Sequence, residues 1–155
     1  MKTSVVSLAL VFGTSFAQAA KSCLVATNPS QATIKSLSSS GSVTNSENAW
    51  DVKAVLEDAI PAGPDSDEVP ARLTLKAKSK SMEFNTIAVH FPELGKGTYI
   101  VECDGGAAQV DPVANGYSIN SRSLQGSIGG ESECGESEAV IALKNVNFKN
   151  SVCEE

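Results

Sequence analysis

The chain has few aromatic residues, and its cationic residues are nowhere concentrated. Its 155 residues include one Trp, two Tyr and five Phe, of which Phe12 and Phe16 lie in the first twenty positions. A sugar-stacking platform or a base-stacking surface needs exposed aromatic side chains, so the composition argues against both. The net charge is −6, and no stretch gathers Lys and Arg. The sequence therefore predicts no nucleic-acid partner.

The chain has one histidine, His90, which restricts the catalytic chemistry open to it. Any Ser-His-Asp or Cys-His mechanism, and any imidazole metal site, would depend on this residue. The chain has no G-x-S-x-G motif, and its two glycine pairs are not followed by the helix signals of a phosphate cradle. Alternation places His90 on the polar face of a strand. We predict no catalytic residue and no cofactor, and interpret His90 as structural or exposed.

The longest apolar run covers residues 5–16 and follows Lys2. It ends in Ala17-Gln18-Ala19-Ala20, a pattern typical of a secretory signal peptide with an A-x-A cleavage site. We expect residues 1–19 to be removed and residues 20–155 to form one domain in the periplasm or extracellular space. No later run approaches the ~20 apolar residues of a membrane-spanning helix. The sequence predicts no membrane span.

Four cysteines are present, an even number for an exported chain: Cys23, Cys103, Cys134 and Cys153. None of their spacings gives a C-x-x-C pair, which argues against a zinc or redox site. The pattern instead indicates two structural disulfides, for which three connectivities are possible. We predict that Cys23 pairs with Cys153, tying the two ends together, and that Cys103 pairs with Cys134.

The clearest periodicity is the strict alternation of apolar and polar residues over 71–78, which predicts a strand with one buried face. The next alternating run changes phase near Asn85, which predicts a bulge or a short break. Residues 50–60 fit both a helix and a strand. We favour the strand, because a hairpin through residues 61–70 would pair it with residues 71–78.

Further short alternating segments lie at residues 98–103, 117–120, 124–128 and 139–148, separated by Gly, Asn, Asp or Ser. Short strands with such spacing predict an all-β domain, an antiparallel β-sandwich or barrel. We favour the two-layer sandwich.

Two acidic segments are candidate cation sites. Residues 129–138 carry Glu131, Glu133, Glu136 and Glu138, whose alternate carboxylates could hold calcium. Residues 61–70 carry a second acidic group. Neither segment has the ligand spacing of an EF-hand, so a solvated loop is the favoured interpretation of both and the metal site stays open. A glycosidase would need two carboxylates about 5–10 Å apart in a cleft, which sequence cannot place.

The polar face of residues 71–78 is basic, with Arg72, Lys76 and Lys78, and Lys80 follows. Lysines on an edge strand prevent edge-to-edge association of sheets, and this is the interpretation we favour. The alternative is a docking surface for a partner.

The chain also resembles a group of secreted bacterial all-β domains with no assigned activity. The resemblance covers most of residues 20–155 and implies a fold without a function. It rests on Gly41-Ser42-Val43, Trp50 before an alternating strand, Gly97-Thr98-Tyr99, Gly126-Ser127-Ile128 and a cysteine near the end.

Together these features predict an exported, non-catalytic binding or structural protein. We expect it to recognise a protein or an envelope component through loops or a sheet face. The alternatives are a hydrolase that acts on an extracellular polymer through paired carboxylates, and a calcium-stabilised interaction domain that uses residues 131–138.

Overall fold

The computed structural model describes residues 20–36, 50–80, 82–128 and 138–153, and this part of the chain is all-β. It contains nine strands, which pair only in antiparallel fashion, and two short 3-10 turns at Pro29–Gln31 and Pro92–Leu94. The strands are β1 (Lys21–Ala26), β2 (Ala32–Ser36), β3 (Asp51–Glu57), β4 (Arg72–Lys78), β5 (Glu83–His90), β6 (Thr98–Ile100), β7 (Ala107–Val113), β8 (Gly116–Ile128) and β9 (Ala139–Ser151).

The strands close into a barrel. Each strand from β3 to β9 pairs with the next, β1 pairs with β3, and β9 pairs back with β1 to complete a ring of eight. β2 is the extra strand, and it follows β1 along the same edge of β9, with Ala26 opposite Phe148 and Ala32 opposite Leu143. The all-β prediction is confirmed. The favoured two-layer sandwich is wrong, because β9 is long enough to pair with both β1 and β2, and its pairing with β1 closes the sheet.

The barrel interior is filled with apolar side chains. On β4 the alternation holds as predicted, with Leu73, Leu75 and Ala77 buried and the residues between them outside. Fully burying a large apolar side chain contributes about 1.5–3 kcal/mol, so this core is the main source of stability. The largest fully buried side chains are Phe84, Phe148, Leu24, Ile34, Leu73, Leu75, Ile119, Leu124, Ile141, Leu143, Val52 and Val146.

The strand predicted within residues 50–60 is confirmed. β3 pairs with β4 over its whole length, from Asp51 opposite Lys78 to Glu57 opposite Arg72. The hairpin continues beyond the strands, since Ile60 forms a bridge with Val69. The connection through residues 61–70 therefore joins the two strands as expected.

The bulge or short break predicted near Asn85 is wrong, because the register of β5 against β4 is unbroken. Phe84, Thr86 and Ala88 all face the interior and are buried. The Thr86 hydroxyl donates a 2.6 Å hydrogen bond to the Gln125 carbonyl, which satisfies a polar group at an inward position. The sequence suggested a change of phase because Thr86 is a polar residue at a buried position, while the outward residues Ile87 and Val89 are apolar and half-buried.

The irregular part of the barrel lies in β8 and β9. The segments predicted at 117–120 and 124–128 form one strand, β8, whose register against β9 shifts on both sides of Ser121. The Ser121 hydroxyl donates to the Ala107 carbonyl at 2.6 Å. In β9, Asn145 has a left-handed φ of 49°, and its amide donates to Asn120 Oδ1 at 2.7 Å. Such bulges bend strands and re-aim side chains.

The predicted Cys23–Cys153 disulfide is confirmed, and it links residues 130 positions apart. Cys103 is also disulfide-bonded. Cys134 lies outside the described residues, so the Cys103–Cys134 pairing stays a prediction, as does the signal peptide at residues 1–19. Within the described ranges, no helix has the length and apolar character needed to span a bilayer.

Candidate functional site

His90 ends β5 on the inward side, where it is half-buried opposite Tyr99 of β6. Its Nε2 donates a 2.9 Å hydrogen bond to the Gly95 carbonyl, and its ring centroid lies 5.3 Å from that of Tyr99. The predicted position on a polar face is wrong, because the inward phase of β5 runs through Phe84, Thr86 and Ala88. The contacts of His90 tie the turn after β5 to the end of the barrel.

The Tyr99 phenol has a raised pKa. Burial raises its pKa, and the nearby Asp58 carboxylate and Tyr117 phenol raise it further. Each of these surroundings disfavours the charged phenolate. Tyr99 therefore stays protonated at neutral pH and serves as a packing residue of the barrel end.

The acidic segments are only partly described. Glu138 Oε2 accepts a 2.9 Å hydrogen bond from the Ile128 amide, so this carboxylate fastens β8 to the start of β9. Glu131, Glu133 and Glu136 lie outside the described residues, and calcium binding there stays a prediction. Among the residues described, including the β3–β4 connection, no three His, Cys, Asp or Glu side chains form a group that could hold a metal ion.

The basic strand is in the middle of the sheet. β4 pairs along its whole length with β3 on one edge and with β5 on the other. Edge protection therefore does not explain Arg72, Lys76 and Lys78, and the favoured interpretation is wrong. Arg72 has a structural role, since its Nη2 lies 2.7 Å from Glu57 Oε1 on β3.

The lysines belong to a groove on the outer surface, which we call the lysine groove. It has a volume of about 460 Å³ and crosses the outward sides of β1, β3 and β4 and the end of β9. Its lining residues are Lys21, Cys23, Leu24, Val25, Asp51, Lys53, Ala54, Val55, Glu57, Thr74, Lys76, Lys78, Glu83, Ser151 and Val152.

Like charges face each other at the centre of this groove. Lys53 of β3 is directly opposite Lys76 of β4, and both are exposed. Lys76 has no ion-pair partner among the described residues. Lys78, by contrast, is opposite Asp51 on one side and Glu83 on the other. Like charges directly opposite each other on a sheet repel, so the position of Lys76 favours an added negative charge.

A second outer groove, the polar groove, lies where β8 and β9 bend. Its volume is about 620 Å³, and side chains from β2, β6, β7, β8 and β9 line it. The lining residues are Gln31, Thr33, Thr98, Ala107, Ala108, Gln109, Asn120, Ser121, Arg122, Ala142, Leu143 and Lys144. The sequence did not single out Arg122 or Lys144. The one available signal was the loss of alternation between residues 120 and 124, where the bulge lies.

Comparison with protein-family models, with curated proteins and with solved structures finds no significant match to this chain.

Proposed function

We propose that this protein is an exported, non-catalytic binding protein that docks an acidic segment of a partner protein in the lysine groove. The observation that carries the proposal is Lys76, an exposed cation that has no ion-pair partner in the described part of the chain and lies opposite another lysine on a paired strand. A purely structural position would favour an opposite charge across from it. A carboxylate of a partner would supply that charge.

The groove also offers apolar contact area beside its charges. Val25 and Val55 are half-buried on its floor, and Val152 at its border is 85% exposed. Protein interfaces combine an apolar centre with a polar rim. A simple anion would leave these valines in water, whereas a peptide segment with apolar and acidic residues would bury them. This combination favours a protein partner.

The surface is built for docking without rearrangement. β1, β3 and β4 are in continuous register, and the Cys23–Cys153 disulfide fixes the border at which Val152 lies. A rigid surface loses little conformational entropy on binding. Side chains of the groove therefore need only small rotamer changes to meet a partner.

Parallel affinity capture tests the proposal. Oxidised wild-type protein, Lys76→Glu and Lys35→Glu are immobilised and exposed to envelope and medium proteins of the producing cell. Lys35 is an exposed lysine on β2 that lines neither groove, so its variant changes the net charge equally. We expect a partner that wild type and Lys35→Glu retain, that Lys76→Glu binds at least tenfold more weakly, and that moderate salt releases.

Two outcomes would overturn the proposal. One is a partner that Lys76→Glu holds as tightly as wild type does, because the lysine groove would then play no part. The other is hydrolysis of an extracellular polymer that substitution of specific carboxylates abolishes, because the protein would then be an enzyme.

A further inference from the structure

We propose that the polar groove is a separate binding site for a carboxylate-bearing oligosaccharide. Its first distinguishing feature is charge. Arg122 and Lys144 line it, no Asp or Glu does, and the chain as a whole carries a net charge of −6. Both cationic side chains are exposed, and neither has an ion-pair partner among the described residues. The groove is thus a local site for an anion on an otherwise acidic protein.

One wall of the groove is held in place by its own hydrogen bonds. Thr98 Oγ1 donates to Gln109 Oε1 at 3.0 Å, and Gln109 Nε2 donates to the Lys96 carbonyl at 3.3 Å. Ser121 Oγ donates to the Ala107 carbonyl at 2.6 Å. These bonds fix the β6–β8 side of the groove before any ligand arrives, which lowers the entropy lost on binding.

Other lining residues have polar groups that remain available. Asn120 uses Oδ1 to accept from the Asn145 amide, and within the described ranges its Nδ2 donates to no acceptor. The side chains of Gln31 and Thr33 likewise make no hydrogen bond to another described residue. Amides and hydroxyls of this kind exchange hydrogen bonds with sugar hydroxyls.

The floor of the groove is low because its side chains are small. Ala107 on β7 and Ala142 on β9 line it between the polar walls. A ligand can therefore lie close to the backbone where the β8 bulge bends the sheet. The backbone is thus within reach of a ligand between Arg122 and Lys144.

The cationic side chains of the polar groove, and the absence of aromatic residues among its lining residues, indicate the class of ligand. The guanidinium of Arg122 matches a carboxylate in a planar, two-bond geometry, and Lys144 adds a second positive charge. No aromatic residue lines the groove, so a neutral sugar would find no ring to stack on. Recognition must therefore rest on charge and hydrogen bonds. A uronic-acid oligosaccharide offers both, because each of its sugar units carries a carboxylate and hydroxyl groups.

Binding of a galacturonic acid hexamer to the intact, oxidised protein tests this site. Calorimetry measures its affinity for wild type, for Arg122→Gln/Lys144→Gln and for the matched control Lys35→Gln/Lys149→Gln, whose two lysines are exposed and line neither groove. We expect saturable binding by wild type, at least tenfold weaker binding by the Arg122/Lys144 variant, and a change of less than twofold in the control. Thr33→Val, which removes one hydroxyl and no charge, is expected to weaken binding two- to fivefold.

Other probes separate this site from simpler explanations. If a glucose hexamer binds as tightly as the galacturonic acid hexamer, charge plays no part in recognition. If hexaglutamate binds as tightly, the sugar hydroxyls play no part. If the Arg122/Lys144 variant and the control lose affinity equally, the effect comes from net charge alone. Each of these results, or the absence of any uronate binding, overturns the proposal. None of them bears on the lysine groove, whose test uses different residues and a protein partner.

Discussion

The two grooves differ in how the strands beneath them are paired. The lysine groove lies on β1, β3 and β4, which pair without a register shift, whereas the polar groove lies where β8 shifts twice against β9. A regular sheet projects alternate side chains in straight rows, so Lys53 and Lys76 stay side by side. A bulge re-aims side chains, so Arg122 and Lys144 do not form such a row. Regularity of register therefore decides whether the cations stand in a straight row or are turned toward an irregular site.

The difference extends to the covalent frame. The Cys23–Cys153 disulfide lies at the border of the lysine groove, and none of the residues that line the polar groove is one of its cysteines. The polar groove instead depends on side-chain hydrogen bonds such as those of Gln109 and Ser121. Breaking the disulfide and perturbing the β6 wall should therefore affect the two grooves differently.

The largest expected effect comes from the Cys23→Ser/Cys153→Ser variant. Because the bridge joins positions 130 residues apart, its loss should lower the free energy of unfolding by about 4–5 kcal/mol. Urea unfolding measures this change, and Ser151→Ala serves as a control that leaves the bridge intact. Partner binding at the lysine groove should fall, while uronate binding by the folded fraction should stay within twofold. A stability loss below about 1 kcal/mol, or equal damage to both grooves, would contradict this.

A smaller effect is expected at high pH from Tyr99, which lies behind the wall of the polar groove. β6 turns Thr98 toward that groove and Tyr99 toward the barrel interior, where burial, Asp58 and Tyr117 raise its pKa above the ordinary value of 10.0. The stability that depends on a neutral phenol is fully present below pH 10 and is lost as pH rises through the raised pKa of the folded state. The melting temperature should therefore fall above pH 10.

Tyr99→Phe should remove that part of the alkaline loss. Melting curves between pH 7 and pH 11 compare it with wild type and with Tyr117→Phe, which retains the Tyr99 phenol and removes only the smallest of the three causes of its raised pKa. Equal alkaline loss in wild type and Tyr99→Phe would show that ionisation of Tyr99 plays no part.

Local pattern predicted the hairpin of β3 and β4 well, but it did not predict β1 or β2. The alternation over residues 71–78, together with the turn residues at 61–70, was sufficient for β4 and its hairpin partner β3. β7 was missed because Asp111 and Pro112 interrupt its alternation and the strand is exposed from Asp111 onward. Closure was missed because it depends on pairing between β1 and β9, at opposite ends of the chain.

The grooves could not be predicted for the same reason. The basic face of residues 71–78 pointed to one strand of the lysine groove, but only register brings Lys53 beside Lys76. Arg122 and Lys144 come from two strands that meet at a bulge. The sequence showed the bulge only as a gap between two predicted strands.

The smallest expected effect gives the sharpest contrast between stability and binding. Lys76→Glu places an opposite charge across from Lys53, so it should raise the free energy of unfolding by about 0.2–1 kcal/mol while weakening partner binding. Lys35→Glu, on β2, should change stability by less than about 0.5 kcal/mol and leave binding intact. Urea unfolding at low and high salt measures both, and the gain should shrink with salt because exposed charges are screened. If Lys76→Glu lowers stability instead, Lys76 has a structural role, and its charge is not a reason to expect a partner there.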